Sequence, residues 1–336
     1  MDKAIRMGVA GVGRIGKMHA EIISRKIPGL DLVAVADVNE GAADSVSKEF
    51  GVDARTVQEL ISSPDIDAIA ICTSTDTHVD LIEACAAAGK AIFCEKPISL
   101  NIEAVDRALV QVEAAGVPFM VGFNRRFDPS HKSVRDAVLE GKVGDTHLAR
   151  ITSRDPGPPP IEYIKVSGGI FLDMMIHDFD MAAYTVGSPI VEVYAKGDVR
   201  VDPAIGEAGD IDTAVVVLTH ADGTLTTIDN SREAKYGYDQ RVEVFGSEGM
   251  AVSDNPMMHT GFTMNAEGTQ ATPLPYFFLE RYTNSYLHEW EAFRDYLQSG
   301  GVSPVTAQEA RAPIAVALAA KESFATGLPV KVKQLV

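Results

Sequence analysis

Gly11-Val12-Gly13-Arg14-Ile15-Gly16 follows an apolar run, Ile5–Ala10, and opens a helical pattern over Ile15–Lys26. In that setting each glycine has a mechanical task. Gly11 permits a tight turn, Gly13 lets the backbone approach a pyrophosphate, and Gly16 lets the helix pack on the strand. The helix start then offers backbone N–H groups and a partial positive charge to phosphate oxygens. A second apolar run, Leu32–Asp37, ends on a carboxylate 21 residues beyond Gly16, where an acid can bind a ribose. Strand, glycine loop, helix and acid in this order point to a dinucleotide site. A GxGxxG without them would mark only a turn.

Outward from the loop, the chain keeps alternating. Ala68–Cys72, Ala91–Cys94 and Phe119–Gly122 are further apolar runs, set between helical patterns at Glu40–Phe50, Val57–Ser62, Thr77–Ala88 and Ile102–Ala115. Runs without polar alternation read as strands covered on both faces, so residues 1–122 are expected to form a doubly wound, parallel Rossmann domain. The character changes after Gly122. A helix is expected over Pro129–Glu140 and a strand over Thr146–Arg154. Pro156-Gly157-Pro158-Pro159-Pro160 is too stiff to join a helix or a central strand, and a helix follows over about Phe171–Val186. Val191–Val201, Thr213–Thr219, Thr224–Asn230 and Gln240–Phe245 read as strands joined by turns such as Ala221-Asp222-Gly223. Helices at Leu279–Gln298 and Ala307–Ala325 are expected to close this second domain. Residues 123–336 therefore read as an α+β domain built on a large, mostly antiparallel open sheet, whose free face invites subunit pairing.

Composition excludes several classes. Of 336 residues, 46% are hydrophobic and 23% charged, which is globular and not disordered. Thirty Lys and Arg stand against 47 Asp and Glu, a formal charge of −17. Such a surface repels polyphosphate backbones and anionic lipid, so neither nucleic acid nor membrane is an expected partner. No apolar run approaches a spanning helix, and the first one carries Arg6 and runs into the glycine loop, unlike a signal peptide. Cys72, Cys85 and Cys94 have no pairable or metal-like spacing. They read as reduced thiols of a cytoplasmic protein.

Asp37 also bears on which dinucleotide binds. Its carboxylate accepts from both ribose hydroxyls and repels a 2′-phosphate, and Val38-Asn39-Glu40 supplies no arginine to neutralise one. NAD is therefore favoured over NADP; Asp37 as a helix N-cap is compatible with either role. Arg14 either meets the pyrophosphate or is solvated. Thr73-Ser74-Thr75-Asp76-Thr77-His78 suits a backbone-lined cofactor groove, with Thr75 or Asp76 expected to cap the next helix and His78 expected on the helix surface or the cofactor edge. The candidate cofactor-binding residues are Gly11, Gly13, Arg14, Ile15 and Gly16 in the loop, Asp37 and Val38 after the second strand, and Thr73, Ser74, Thr75, His78, Glu95 and Lys96.

Two elements carry candidate chemistry. Lys96, in Glu95-Lys96-Pro97, lies just past a buried strand end, where it is either a solvated lysine or an ammonium aimed at an oxygen on a reacting carbon. Asp173 and His177 are four apart on the expected helix and share a face, which Asp180 and Tyr184 continue. A polar stripe among Phe, Leu, Met and Ile is expensive to bury without a purpose. His177 is either a general base oriented by Asp173 or a satisfied core histidine; Asp173 and His177 alone give a metal two ligands at most, so no metal is expected. Hydride transfer from an alcohol needs a base and a cation near the oxygen, tasks that His177 and Lys96 divide between the two domains.

The glycine loop, Glu95-Lys96-Pro97 and the Asp173…His177 helix together resemble the glucose–fructose oxidoreductase/inositol dehydrogenase family over essentially the whole chain. Val121 through Asp128, Ser153-Arg154-Asp155-Pro156, Gly168 through Asp180, Asn230-Ser231-Arg232 and Tyr236 through Glu243 resemble its bacterial inositol 2-dehydrogenase branch. The resemblance implies NAD-dependent oxidation of myo-inositol to its 2-keto form. It places Lys96, Asp173 and His177 on the family's catalytic positions. It places Arg126, Asp155, Asp180 and Tyr236, with Lys96, Asp173 and His177, on polyol hydroxyls, Arg125 being an alternative to Arg126. It further implies a homotetramer built through the open face of the second-domain sheet. A dehydrogenase of another inositol isomer or of an aldose such as glucose, and a sugar sensor without turnover, are the other readings.

Overall fold

The computed structural model describes residues 4–333. Two compact units divide the chain. The first takes it through Asn124 and again over Asn284–Arg311; the second takes Arg125–Thr283 and the chain from Ala312 onward.

In the first unit a parallel sheet is formed by β1 (Ile5–Ala10), β2 (Leu30–Ala36), β3 (Asp53–Ala54), β4 (Ala68–Ile71), β5 (Ala91–Glu95) and β6 (Phe119–Gly122). Their order is β3-β2-β1-β4-β5-β6. This is the expected Rossmann topology, and direction of winding reverses between β1 and β4, the switch point at whose carboxyl edge ligands settle. β4 and β6 are buried throughout, which is why their sequences show no polar alternation. β3, absent from the sequence reading, is two exposed residues and leaves no periodic mark.

The returning segment adds the helix Thr283–Ser299. Its Trp290 and Phe293 are fully buried, with ring centroids 4.5 and 5.8 Å from Phe93 of β5. The expectation that this helix closes the second domain is corrected. An amphipathic pattern states that a face is buried, not against which sheet.

The second unit carries β7 (Thr146–Arg154), β8 (Ile190–Asp198), β9 (Thr213–His220), β10 (Leu225–Ser231), β11 (Asp239–Gly246) and β12 (Gly249–Ser253). An exposed hairpin of β13 (Phe262–Asn265) and β14 (Gly268–Ala271) follows, and β15 (Val330–Lys331) completes the larger sheet. Its order is β12-β11-β7-β10-β9-β8-β15. Every neighbouring pair is antiparallel except β7 and β10, which the long excursion between them lets run parallel. The sheet is thus mixed and mostly antiparallel. Ala149, Ile151, Val216, Ile228 and Val244 fill one face. On the other, the register puts Leu148 beside Leu225 and Phe245, and Phe245 beside Met250, all 40–56% exposed. No helix among the described residues is long and apolar enough to cross a membrane.

Candidate active site

The glycine loop has the geometry its sequence suggests. Gly11 sits at φ +85°, and a Cβ there would lie 2.6 Å from the Cys72 carbonyl oxygen. A Cβ on Gly16 would fall 1.8 Å from the Gly11 carbonyl oxygen, so no other residue fits without moving the turn. Gly13 differs: nothing lies within 4 Å of its Cβ position. Two glycines are therefore packed and one is open, which suits close approach by a pyrophosphate. Gly13 is also the N-cap of the helix Arg14–Arg25, with no side chain on the cap and no acid in the first turn. The first N–H groups of that helix are left for an anion. Arg14 is exposed beside them.

Asp37 binds inward through both oxygens, accepting from Val12 N–H at 2.7 Å and Asn39 N–H at 2.9 Å. The first bond ties the glycine loop to the acid; a carboxylate retains lone pairs for ribose hydroxyls beyond these two. The helix Glu40–Phe50 is capped by Asn39 and not by Asp37. Val38 is fully exposed next to them.

At the carboxyl ends of β4 and β5 the structure corrects two expectations. Neither Thr75 nor Asp76 caps the helix His78–Ala87. A 3-10 turn over Thr75–Thr77 leads into it, held by Thr77 Oγ1, which bonds the Ser74 carbonyl and Thr73 Oγ1. His78 is buried, which excludes the helix surface, one of its two expected places; its two ring nitrogens lie 2.9 Å from the Pro97 carbonyl and 3.1 Å from that of Thr73. It thereby joins the loops after β4 and β5, and burial lowers its pKa. Lys96 and Glu95 lie half-buried at the end of β5, and the Lys96–Pro97 peptide is cis.

In the second unit, Gly168 and Gly169 both take positive φ, +91° and +79°. They turn the chain into a π-helical turn, Ile170–Met174, followed by the helix Ile176–Val186. The expected single helix is therefore broken between Asp173 and His177, and a π turn re-aims the aspartate. Both are half-buried among apolar neighbours that are buried. Asp173 accepts from Tyr163 Oη at 2.8 Å and pairs with Arg232 at 3.5 Å. Arg232, 1% exposed, also reaches Asp210, which in turn accepts the Ile170 N–H. Tyr163, Asp210 and Arg232 orient Asp173, and the sequence reading named none of them as site residues. The only signal was Arg232 in a strand-end Asn-Ser-Arg; a partner 59 residues away is not visible in spacing.

Beside this pair lies a second charged cluster. Arg125 bonds Asp178 at 2.7 Å; Asn230 bonds the other Asp178 oxygen at 2.9 Å. Burial pushes the Asp155 carboxyl up to about 6 against the pull of Arg125 and Arg232, and Asp173 and Asp178 raise it further. The sign follows. Raised above its unfolded value, the folded pKa makes Asp155 favour folding while protonated, a contribution fully present below about pH 4 and lost as pH rises through about 6. Asp155→Asn is therefore expected to raise stability by about 1–3 kcal/mol above pH 7 and to change it little at pH 4. Thermal melts of both proteins across that range check this; an equal shift at both ends would refute it.

The remaining resemblance-based positions are less open. Arg126 and Asp180 lock each other in a buried bidentate pair, with contacts of 2.7–3.1 Å. Tyr184 bonds the Arg126 carbonyl and lies under its guanidinium. Tyr236, half exposed, donates to Asp239 at 2.6 Å and accepts from Arg154 at 3.0 Å. Cys85 and Cys94 are buried thiols and Cys72 is half-buried; burial pushes all three upward, Cys85 to about 12, which disfavours the thiolate form. Among the described residues no cluster of three His, Cys, Asp or Glu is placed to hold a metal.

A family model described as an oxidoreductase family with an NAD-binding Rossmann fold matches residues 5–123, and the GFO/IDH/MocA C-terminal domain matches residues 131–252. A Thermotoga maritima protein named myo-inositol 2-dehydrogenase is 47% identical, with 99% of this chain and 100% of that one covered. The crystal structure of a putative myo-inositol dehydrogenase from Sinorhizobium meliloti superposes with a TM-score of 0.96 at 45% identity, covering 98% of this chain and 100% of that one. A Lactobacillus casei scyllo-inositol dehydrogenase with bound NAD(H) and scyllo-inositol matches with a TM-score of 0.92 at 33% identity, covering 98% and 99%. Loop, acid and comparisons agree: the chain belongs to the GFO/IDH/MocA family and is an oxidoreductase that holds NAD on its Rossmann-fold unit.

Proposed function

We propose that the protein is an NAD-dependent inositol 2-dehydrogenase that oxidises the axial hydroxyl of myo-inositol to a ketone. The observation that carries this reading is the half-buried Asp173 and His177 in an otherwise buried segment, with Asp173 oriented by Tyr163 and Arg232. Bound NAD supplies the hydride acceptor. His177 takes the hydroxyl proton as general base, and the Lys96 ammonium stabilises the negative charge that develops on oxygen. Asp173, acceptor-only when ionised, holds a polyol hydroxyl or the imidazole. Asp155, Arg126, Asp180 and Tyr236 complete the proposed polyol set, Arg126 and Asp180 acting as a locked pair.

A neutral polyol offers only hydroxyls, so selectivity comes from charged and bidentate hydrogen bonds of this kind. The test is NADH formation on addition of myo-inositol, run beside other inositol isomers and aldoses, with NADP in parallel. Turnover with myo-inositol and NAD, weak with NADP because of Asp37, is expected. A strong preference for an aldose, or no turnover at all, would remove the assignment.

The same reading gives residues 1–122 the coenzyme and residues 123–336 the substrate and the subunit contacts. The open sheet face with Leu148, Leu225, Phe245 and Met250 supports a homotetramer, since an apolar patch of this kind is usually covered. A monomer mass by light scattering would contradict that. An acidic surface and unpaired cysteines support a cytoplasmic location, which recovery from a secreted fraction would overturn.

A further inference from the structure

An imidazole, an indole and a carboxyl are buried together behind the Glu95-Lys96 turn, and the proposed reaction uses none of them. His19, Trp290 and Glu289 have no solvent exposure. Phe93, Tyr286 and Trp290 surround the imidazole edge-on, with ring centroids 5.3–5.7 Å away.

The hydrogen bonds among them have a direction. An indole N–H can only donate. Trp290 Nε1 donates to His19 Nδ1 at 2.8 Å, so Nδ1 is the acceptor and the proton of the neutral ring sits on Nε2. Nε2 then donates to Glu95 Oε1 at 2.7 Å, and Glu95 Oε2 accepts the backbone N–H of Lys96 at 3.2 Å. A continuous line thus runs from the helix Thr283–Ser299, through the helix behind the glycine loop, to the turn that carries Lys96.

Two neighbours preserve this line. At Gly122 a Cβ would sit 3.3 Å from Glu95 Oε1 and 3.0 Å from Phe93 Cζ, so the glycine keeps the carboxylate's place open. Neither oxygen of Glu289 has a hydrogen-bond partner in the structure. Burial, and then the Glu95 charge, push the Glu289 carboxyl well above the usual carboxylate range. That direction favours the uncharged form, in which Glu289 does not repel Glu95.

We propose that His19, held as its Nε2–H tautomer by Trp290, is a positioning residue for Lys96: it fixes the Glu95 carboxylate, which fixes the backbone of the turn from which the Lys96 ammonium reaches the substrate oxygen. This rests on the reading of Lys96 as the group that stabilises the developing alkoxide.

The test uses the full-length, NAD-loaded protein and reads kcat, NAD affinity and the nitrogen NMR shifts of His19. His19→Leu keeps bulk and removes the donor, and kcat is expected to fall about 10- to 100-fold, the scale of a small misplacement of a reacting group, with NAD affinity within about threefold. His19→Gln returns an N–H near the Nε2 position and is expected to restore most of kcat. Trp290→Phe keeps an aromatic plate without the donor. Nδ1 is then left without its donor in a buried pocket, and the ring loses one of the two bonds that fix its place against Glu95. A fall of about tenfold in kcat and a change in the His19 nitrogen shifts are expected.

An unchanged kcat in His19→Leu, a Gln variant no better than Leu, or a parent His19 protonated on Nδ1 would each overturn the proposal. Lys96→Ala, run alongside, separates the two ideas. A large loss there beside an unaffected His19→Leu removes only the positioning role, whereas an unaffected Lys96→Ala removes the lysine reading itself. Should His19→Leu fail to fold, Trp290→Phe and the nitrogen shifts of the parent still decide.

Discussion

Lys96→Ala is expected to lower kcat for inositol oxidation by about 10²- to 10³-fold, the usual cost of removing one preorganised donor from a developing oxyanion. NAD affinity is expected to stay within a few-fold if, as proposed, the dinucleotide's phosphates and ribose bind at the glycine loop, the open helix start and Asp37. The ammonium's effect is differential. In the ground state the ammonium meets a neutral hydroxyl, but as hydride leaves it meets an oxygen gaining negative charge, so its absence is felt mainly in kcat. Half-burial at the end of β5 makes that interaction stronger than it would be in bulk water. Lys96→Arg is expected to recover little, since a planar fork does not reproduce a compact ammonium. Steady-state kinetics at saturating NAD are the measurement, and an unchanged kcat would end the lysine's proposed role.

Asp178→Ala is expected to destabilise the second unit by about 3–5 kcal/mol, the range for removing one partner of a buried ion pair. Asp178 is fully buried, bonded by Arg125 on one oxygen and Asn230 on the other. Deleting it leaves a guanidinium that is 5% exposed without its counter-charge and Asn230 Nδ2 without its acceptor. Asp178→Asn keeps one acceptor and is expected to lose less. Changing Arg125 and Asp178 together to apolar residues of similar size is expected to cost less than Asp178→Ala alone, because no charge is then stranded. Denaturant unfolding of the three variants measures this; a single variant within 1 kcal/mol of the parent would show that the pair is not buried in solution.

Much of this architecture is legible in the sequence because it rests on local rules. Gly11 and Gly16 of the first loop each meet a steric demand, and β4 and β6 are buried on both faces and read as unbroken apolar runs. Lys96, Asp173 and His177 stood out in the sequence as candidates because they are polar groups in apolar surroundings. Features that depend on distant partners were not legible. Nothing in the pattern of residues 170–186 signals the π turn, which follows Gly169 fitted against Asp210. β12 is a short edge strand, and every residue of the β13–β14 hairpin is exposed, so neither carries a hydrophobic period. That Arg126 and Asp180 pair with each other was likewise not legible, because the two lie far apart in the sequence.

The path of the chain between the units has a consequence for biosynthesis. Phe93 is translated long before the rings that cover it, Trp290 and Phe293. A nascent Rossmann unit therefore waits on the ribosome with an uncovered aromatic surface, and N-terminal-first maturation, common in larger proteins, is closed to it. A fragment stopped at Asn124 should be sticky and chaperone-dependent even though every strand of its sheet is present.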